Sequence, residues 1–419
     1  MNNAFLSATT LIPKYVALPP FIILPVLLVA LLAVFYFYLI WALRLYRKTG
    51  RKQERLWSPT DEFDISRDVK TVRKDPNKDF VILTLADIQV HDRFRLNKNR
   101  VIYQTIEGAI KKAKPDMIVL LGDNCWGYAR QCYRRLVSIM DNFGIPWAPV
   151  FGNHDMEGNA DLELLADILS TGKHCLFSKG PRSVTGIGNY AVNIVQEDKI
   201  VHTLFLFDTG DWQIDYDPNK IVYLKADENM KEKMPAFYVE TIQDGPHKGE
   251  VMVGTSCGWG TLSYEQIDYY KWLLAGITKA NGGITPESSM YMHIPLYEYN
   301  AGYFEWVQGG CDPEKGFGEI NEQICSPALS TGMFDAILQE GSTKNVVVGH
   351  DHENNLSVLY KGVRLSYGMK CADECSWREY MSGGSTVTVD KNGKGTFAHV
   401  YVKPTGLRHK EGILGKIFY

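Results

Sequence analysis

Net charge is almost missing from this chain: 45 Lys and Arg face 48 Asp and Glu, giving −3 over 419 residues. It therefore lacks the basic field that draws polyanions. The larger C-terminal part also has no basic, aromatic-rich stripe, so nucleic acid is not expected as a partner. Internal repeats and low-complexity tracts are absent too, which excludes repeat arrays and compositionally disordered tails. The eight cysteines include no CxxC pair. Reduced thiols suit a cytoplasmic enzyme, whereas Cys311 with Cys325, or Cys371 with Cys375, would bridge in an oxidising compartment. Asn355-Leu356-Ser357 is a glycosylation sequon of the second kind of compartment. The cysteines leave both settings open.

Charged side chains are missing altogether between Lys14 and Arg44, and residues 21–40 read FIILPVLLVALLAVFYFYLI. A bilayer span needs ~20 apolar residues, so this run is expected to be a transmembrane helix contacting lipid. It is longer than the apolar core of a signal peptide and has no cleavage site. Lys14 stands alone before it, whereas Arg44, Arg47, Lys48, Arg51, Lys52 and Arg55 crowd the far side. Positive charge stays inside, which predicts a single-pass protein with its large C-terminal part in the cytoplasm, the opposite orientation being the alternative. The expected organisation is a tail and transmembrane helix over 1–45, a charged juxtamembrane linker over 46–79, a catalytic domain over 80–403 and a tail over 404–419.

Beyond residue 79, apolar runs at 80–86, 117–121, 147–151 and 202–207 read as buried strands, and helical spacing follows at 101–113 and 132–143. A further amphipathic helix is expected over 263–277. Asn392-Gly393, between alternating apolar residues, predicts a hairpin with a type I′ turn. Alternating strands and helices argue for an α/β fold, whose catalytic groups collect at the carboxyl ends of strands. What stands at those ends is Asp87-Ile88-Gln89, Gly122-Asp123-Asn124, and Gly152-Asn153-His154-Asp155; MYMHIPLYEY surrounds His293, and VVVGHDHENN carries His350, Asp351 and His352. Oxygen and imidazole donors on five strand ends are what a two-metal site requires, with two cations ~3.5–4 Å apart sharing a carboxylate.

In that order the motifs DxQ, GDN, GNHD, H and GHxH resemble those of the calcineurin-like metallophosphoesterase superfamily. GDN, FGNHD, HIPLYEY and GHDHEN are most similar to its branch related to purple acid phosphatases. The resemblance runs over roughly residues 80 to 367. It implies an αββα sandwich of two mixed sheets flanked by helices, and two divalent metal ions (Mn, Fe, Mg or Zn). It places the first with Asp87, Gln89, Asp123 and His352, and the second with Asp123, Asn153, His293 and His350, Asp123 bridging. His154 would steady the leaving oxygen and donate a proton, Asp155 would orient its ring, and a metal-bridging hydroxide would attack a phosphorylated substrate.

Two departures stand out. Gln89 occupies a position where the family usually has histidine: its carbonyl would either ligate, favouring Mn, Mg or Fe over Zn, or hydrogen-bond nearby and leave the first position depleted. Trp126 stands where purple acid phosphatases carry their colour-giving tyrosine, so a purple Fe³⁺ centre is not expected. Three functions follow: a membrane-anchored phosphoric-ester hydrolase with phosphomonoesters favoured, a phosphodiesterase or nuclease on the same site, or a degenerate binding domain.

Overall fold

The computed structural model describes residues 20–45, 50–52, 55–91, 98–158, 160–212, 224–225, 238–241, 248–249, 251–254, 258–327, 330–373 and 375–403. The chain forms two compact units, Met1–Arg47 and Lys48–Tyr419. The expected C-terminal tail, Cys257 and most of the loop 213–250 lie outside the described residues.

The first unit holds one helix, Pro20–Leu45, with Pro25 inside it. Its side chains are described over 23–39, where all are exposed. Among the described residues no helix is long and apolar enough to cross a membrane. This overturns the expected transmembrane anchor, the lipid contact through it, and the single-pass placement with a cytoplasmic catalytic part.

In the second unit two sheets carry the fold. A five-stranded sheet runs in the order Gly395–Tyr401, Gly383–Val389, Phe80–Leu85, Met117–Leu121, Trp147–Val150, the last three parallel. An eight-stranded sheet runs Val69–Lys74, Tyr190–Gln196, Lys199–Leu206, Glu287–Tyr291, Thr343–Val348, Val363–Tyr367, Ser357–Tyr360, Gly316–Phe317. Its four strands from Lys199–Leu206 to Val363–Tyr367 are parallel. FVILTL and MIVLL are apolar nearly throughout because parallel strands are covered on both faces, and every residue of Met117–Leu121 is buried. Leu85 and Leu121 of one sheet and Leu204, Leu206 and Val347 of the other share one core with the helices Lys98–Ala113 and Ala129–Asn142. A second core joins the eight-stranded sheet to the helices Tyr264–Ala280, Glu298–Gln308 and Met333–Glu340. Ser263 and Gln266 close a capping box at the start of Tyr264–Ala280, satisfying donors a helix start leaves open.

Several local expectations change. The charged lead-in 46–79 is not a free linker: Trp57 is buried edge-on against Tyr269 and Trp272, and Val69–Lys74 is an edge strand parallel to Tyr190–Gln196. The charges that mask this in sequence pair with one another, Arg55 and Arg67 both gripping the buried Asp68 carboxylate. At 390–393 the hairpin forms, but not through a type I′ turn. That turn needs positive φ at both central residues; Gly393 (φ 85°) has it and Asn392 does not. The Asp390 carboxylate instead accepts from the backbone of Asn392 and Lys394. Neither expected disulfide forms among the described cysteines. The sequon asparagine, Asn355, is buried, its side chain accepting from Glu319 N and donating to the Tyr401 hydroxyl.

Candidate metal centre

All the candidate ligands stand just past the carboxyl ends of parallel strands. Asp87 and Gln89 follow Phe80–Leu85, Asp123 follows Met117–Leu121, and Asn153 follows Trp147–Val150; from the other sheet come His293 after Glu287–Tyr291, and His350 and His352 after Thr343–Val348. The backbone there is forced. Of nine described non-glycine residues at positive φ, four are Asp87 (48°), Gln89 (49°), Asp123 (47°) and His350 (74°). Such conformations cost ~1–3 kcal/mol each and persist where the surroundings impose them, often at functional sites. Two glycines permit the close approach: a Cβ on Gly152 would run into Asp123, and one on Gly122 (φ 89°) into the His293 ring.

One half of the cluster gathers Asp123, Asn153, His293 and His350. His293 Nδ1 lies 2.7 Å from the Leu121 carbonyl, which can only accept, so this nitrogen carries the proton. Nε2 then faces two more acceptors, Asn153 Oδ1 at 3.0 Å and Asp123 Oδ1 at 3.4 Å. A proton on Nε2 satisfies them in the metal-free chain, and a cation between these atoms does so in its place. Burial works against a charged His293, yet Asp123 and Asp87 push the ring up to about 10. Burial likewise opposes ionisation of Asp123, but His293 and the His154 backbone N–H hold it well below the usual carboxylate range. His350 is neutral, driven down to about 3 by burial and by His293. Its buried Nε2 makes no hydrogen bond, and its ring lies 5.1 Å from that of His293. Ligand atoms of Asp87, Asp123 and His293 lie within 4.8 Å of one another. Carboxylate, amide oxygen and imidazole nitrogen are an ordinary donor set for a divalent transition metal, and this half fits one.

The other half gathers Asp87, Gln89 and His352, but around a residue that no sequence motif announces. Lys370, 4 % exposed, donates from Nζ to Gln89 Oε1 at 2.9 Å and lies 3.0 Å from His352 Nδ1. His352 Nε2 is 3.3 Å from Asp87 Oδ1. Burial lowers the Lys370 ammonium from the usual lysine range and Asp87 opposes that. Lys370 reaches the cluster because Val363–Tyr367 lies parallel to Thr343–Val348 and the chain then bridges to Ala86 beside Asp87.

His154 sits at the open side, its backbone N donating to Asp123 Oδ1 and its ring 5.1 Å from that of Trp126. Asp155 does not orient it. The buried Asp155 carboxylate instead accepts from the backbone of Gly152, Asn124 and Cys125, tying two strand-end loops together. Burial and the nearby Asp123 push it up to about 7. The group against His154 Nδ1 is Glu157 Oε1, at 2.8 Å; its only signal in the sequence is the spacing of three residues. Trp259 meets the His350 ring edge-on (4.4 Å) and stacks on the exposed Trp212 (4.4 Å, 14°). A second grouping, Cys325, His350 and Asp351, also comes together, but Asp351 already accepts from Cys325 N and the Tyr367 hydroxyl. A cavity of about 600 Å³ bordered by Met156, Asp161, Arg182 and Ile187 contains none of the candidate ligands.

A family model described as calcineurin-like phosphoesterase matches residues 80–354. The chain belongs to the calcineurin-like phosphoesterase family. It is 24% identical over 279 residues to "Probable inactive purple acid phosphatase 14" of Arabidopsis thaliana, covering 62% of this chain and 60% of that one. It is 23% identical over 294 residues to "Probable inactive purple acid phosphatase 28" of the same plant, covering 65% and 61%. The chain thus spans about 60% of the length of these relatives. Among solved structures, it is similar to a dimetal phosphatase from Danio rerio, with TM-score 0.36 and 12% identity over 78% of this chain and 99% of that one.

Proposed function

We propose that this protein is a metal-dependent phosphoric-ester hydrolase acting on phosphomonoesters at the strand-end cluster. The observation that carries the reading is the convergence of His293 Nε2, Asn153 Oδ1 and Asp123 Oδ1 on one point, with Asp87 within 4.8 Å of the same group and the buried His350 ring 5.1 Å from that of His293. Asp123, Asn153, His293 and His350 would hold the ion; when bound, a divalent cation supplies Lewis-acid polarisation of the phosphoryl oxygen and activation of water. Membership in a phosphoesterase family supports the reaction class. His154, anchored through its backbone to Asp123 and oriented by Glu157, is placed to pass a proton to the leaving oxygen. Trp126 and Trp259 wall the two sides of the cluster.

The test is turnover of p-nitrophenyl phosphate and of bis(p-nitrophenyl) phosphate by the purified full chain with Mn²⁺. Monoester hydrolysis that needs Mn²⁺ and vanishes in Asp123→Ala supports the proposal, and a preference for the diester moves it to phosphodiesterase. No hydrolysis of either gives way to a second reading, a non-catalytic binding domain. That reading is favoured by Lys370 holding the Gln89 carbonyl, and by the word "inactive" in the names of the plant relatives.

A further inference from the structure

The open side of the cluster, where the leaving group of a phosphomonoester would project past His154, is both acidic and aromatic. Glu157 Oε1 lies 2.8 Å from His154 Nδ1, with most of the Glu157 side chain exposed. Asp211 faces the same space. Burial raises its carboxyl above the usual carboxylate range, the negative charge of Glu157 adds to the rise, and His154 opposes it. Among the described residues, the charges that reach Asp211 are those of Glu157, His154 and Asp123, none of them a lysine or arginine.

Three tryptophans supply the aromatic part. Trp126 is half-buried, its ring 5.1 Å from that of His154. Directly after Asp211 comes Trp212, 57 % exposed and stacked at 4.4 Å on Trp259, which in turn meets the His350 ring edge-on. Backbone holds this stack in place: Trp212 and Trp259 form an antiparallel bridge, and Gly260 N donates to the Asp211 carbonyl at 2.8 Å. An aromatic face carries the negative part of the ring quadrupole. Carboxylates and ring faces therefore agree in sign, and both attract positive charge. Aromatic walls suit an organic cation in particular. The same carboxylates repel an anionic leaving group such as one bearing a second phosphate.

We infer that the site selects phosphomonoesters whose alcohol carries an ammonium or quaternary ammonium group, the phosphate seated on the cluster and the cation resting among Asp211, Glu157 and the face of Trp212. The inference rests on the phosphomonoesterase reading of the same site and names its substrate class. In the reaction water adds to phosphorus, the P–O bond to the amino alcohol breaks, and the alcohol leaves with the proton that His154 is placed to pass.

The experiment gives the full chain with Mn²⁺ phosphocholine, phosphoethanolamine and neohexyl phosphate, the uncharged carbon isostere of phosphocholine, with p-nitrophenyl phosphate as reference. kcat/KM for the cationic esters is expected to exceed that for the isostere by roughly tenfold or more, the scale of a partly desolvated cation–aromatic contact. Added salt should narrow the ratio, because the carboxylates are reached by solvent. Asp211→Asn combined with Trp212→Ala should abolish the preference, chiefly through KM, while turnover of p-nitrophenyl phosphate holds and shows that the variant folds. Equal kcat/KM for cationic and uncharged esters, or a preference that the folded double variant retains, overturns the inference and leaves metal-dependent hydrolysis standing. No hydrolysis of any ester overturns both. The comparison of esters on the unaltered chain requires no variant to fold.

Discussion

His293 and His352 sit in comparable places, each just past a parallel strand of the same sheet and each with a nitrogen near an aspartate. Yet different groups stand behind them. Behind His293 is the Leu121 carbonyl, which accepts from Nδ1 and turns Nε2 towards Asp123 and Asn153. Behind His352 is Lys370, its Nζ 3.0 Å from Nδ1, while Nε2 lies 3.3 Å from Asp87 Oδ1. The difference teaches that the group behind a histidine in a ligand motif helps to set which nitrogen it offers to a metal. Asp87 and Asp123, both buried carboxylates at adjacent strand ends, lie within reach of the same His293 ring.

The largest break in this comparison is Asp123→Ala. It removes the carboxylate opposite His293 and the acceptor for the His154 backbone. Loss of ion-assisted charge stabilisation worth several kcal/mol lowers turnover on the order of 10³-fold or more. Mn²⁺ affinity measured by calorimetry should fall with it.

Next in size is a pair of glycine substitutions beside the cluster. A Cβ on Gly152 meets both the backbone N and the carboxylate of Asp123, which cannot move aside. Gly152→Ala should cost ~1–3 kcal/mol, as overpacking does, seen as a lowered melting temperature together with weaker Mn²⁺ binding. A Cβ on Gly349 would approach Asp87 Oδ2 at 2.9 Å, the Leu121 carbonyl oxygen at 3.0 Å and His293 Nδ1 at 3.3 Å, looser contacts than those at Gly152, with no positive φ to maintain. Gly349→Ala should therefore lower the melting temperature less than Gly152→Ala does, and an equal or larger loss would contradict that ranking.

Much of this centre is visible in the sequence, because a strand-end motif is a local object. LTLADIQV, VLLGDN and VVVGHDH each carry a buried strand and the residues thrown out at its tip, so Asp87, Asp123 and His350 can be read without knowing how strands pair. Lys370 cannot be read that way. It lies past the strand of SYGMKC with no motif around it, and only the parallel pairing of Val363–Tyr367 with Thr343–Val348 brings it against Gln89. Asp155 illustrates a different gap. Adjacency to His154 suggests contact, but the turn directs the carboxylate back to the Gly152 and Asn124 backbone, and Glu157, three residues on from His154, faces the ring. The lead-in was hidden for a third reason: Val69 and Val72 are buried in a short strand whose other residues include Lys70, Arg73 and Lys74.

Acidity separates the halves more gently. In the metal-free chain His293 is raised from 6.5 to about 10, burial opposing and the Asp123 carboxylate prevailing. A raised histidine contributes stability that is complete below the unfolded value and is lost as pH rises through the folded one. The melting temperature of the metal-free chain should therefore decline between pH 7 and 10. Asp155 and Asp351, both pushed up to about 7, act in the same direction but below that window. Bound Mn²⁺ takes the place of the His293 proton, so loading should flatten the decline and release a proton, measurable by calorimetry in buffers of different ionisation enthalpy. A slope unchanged by Mn²⁺ would show that the ion binds elsewhere.

The smallest effect sharpens the comparison most cleanly, because it touches one half through packing alone. Trp259 holds the edge of the His350 ring at 4.4 Å and 81°, and its other contact is the stacked Trp212. Aromatic pairs of this kind contribute ~0.5–1.5 kcal/mol beyond the area they bury. Trp259→Ala removes that restraint on a proposed ligand without removing a donor atom or altering charge. Mn²⁺ affinity should drop by less than about tenfold, since ~1.4 kcal/mol corresponds to a factor of ten, and a larger drop would mean that Trp259 does more than steady the His350 ring.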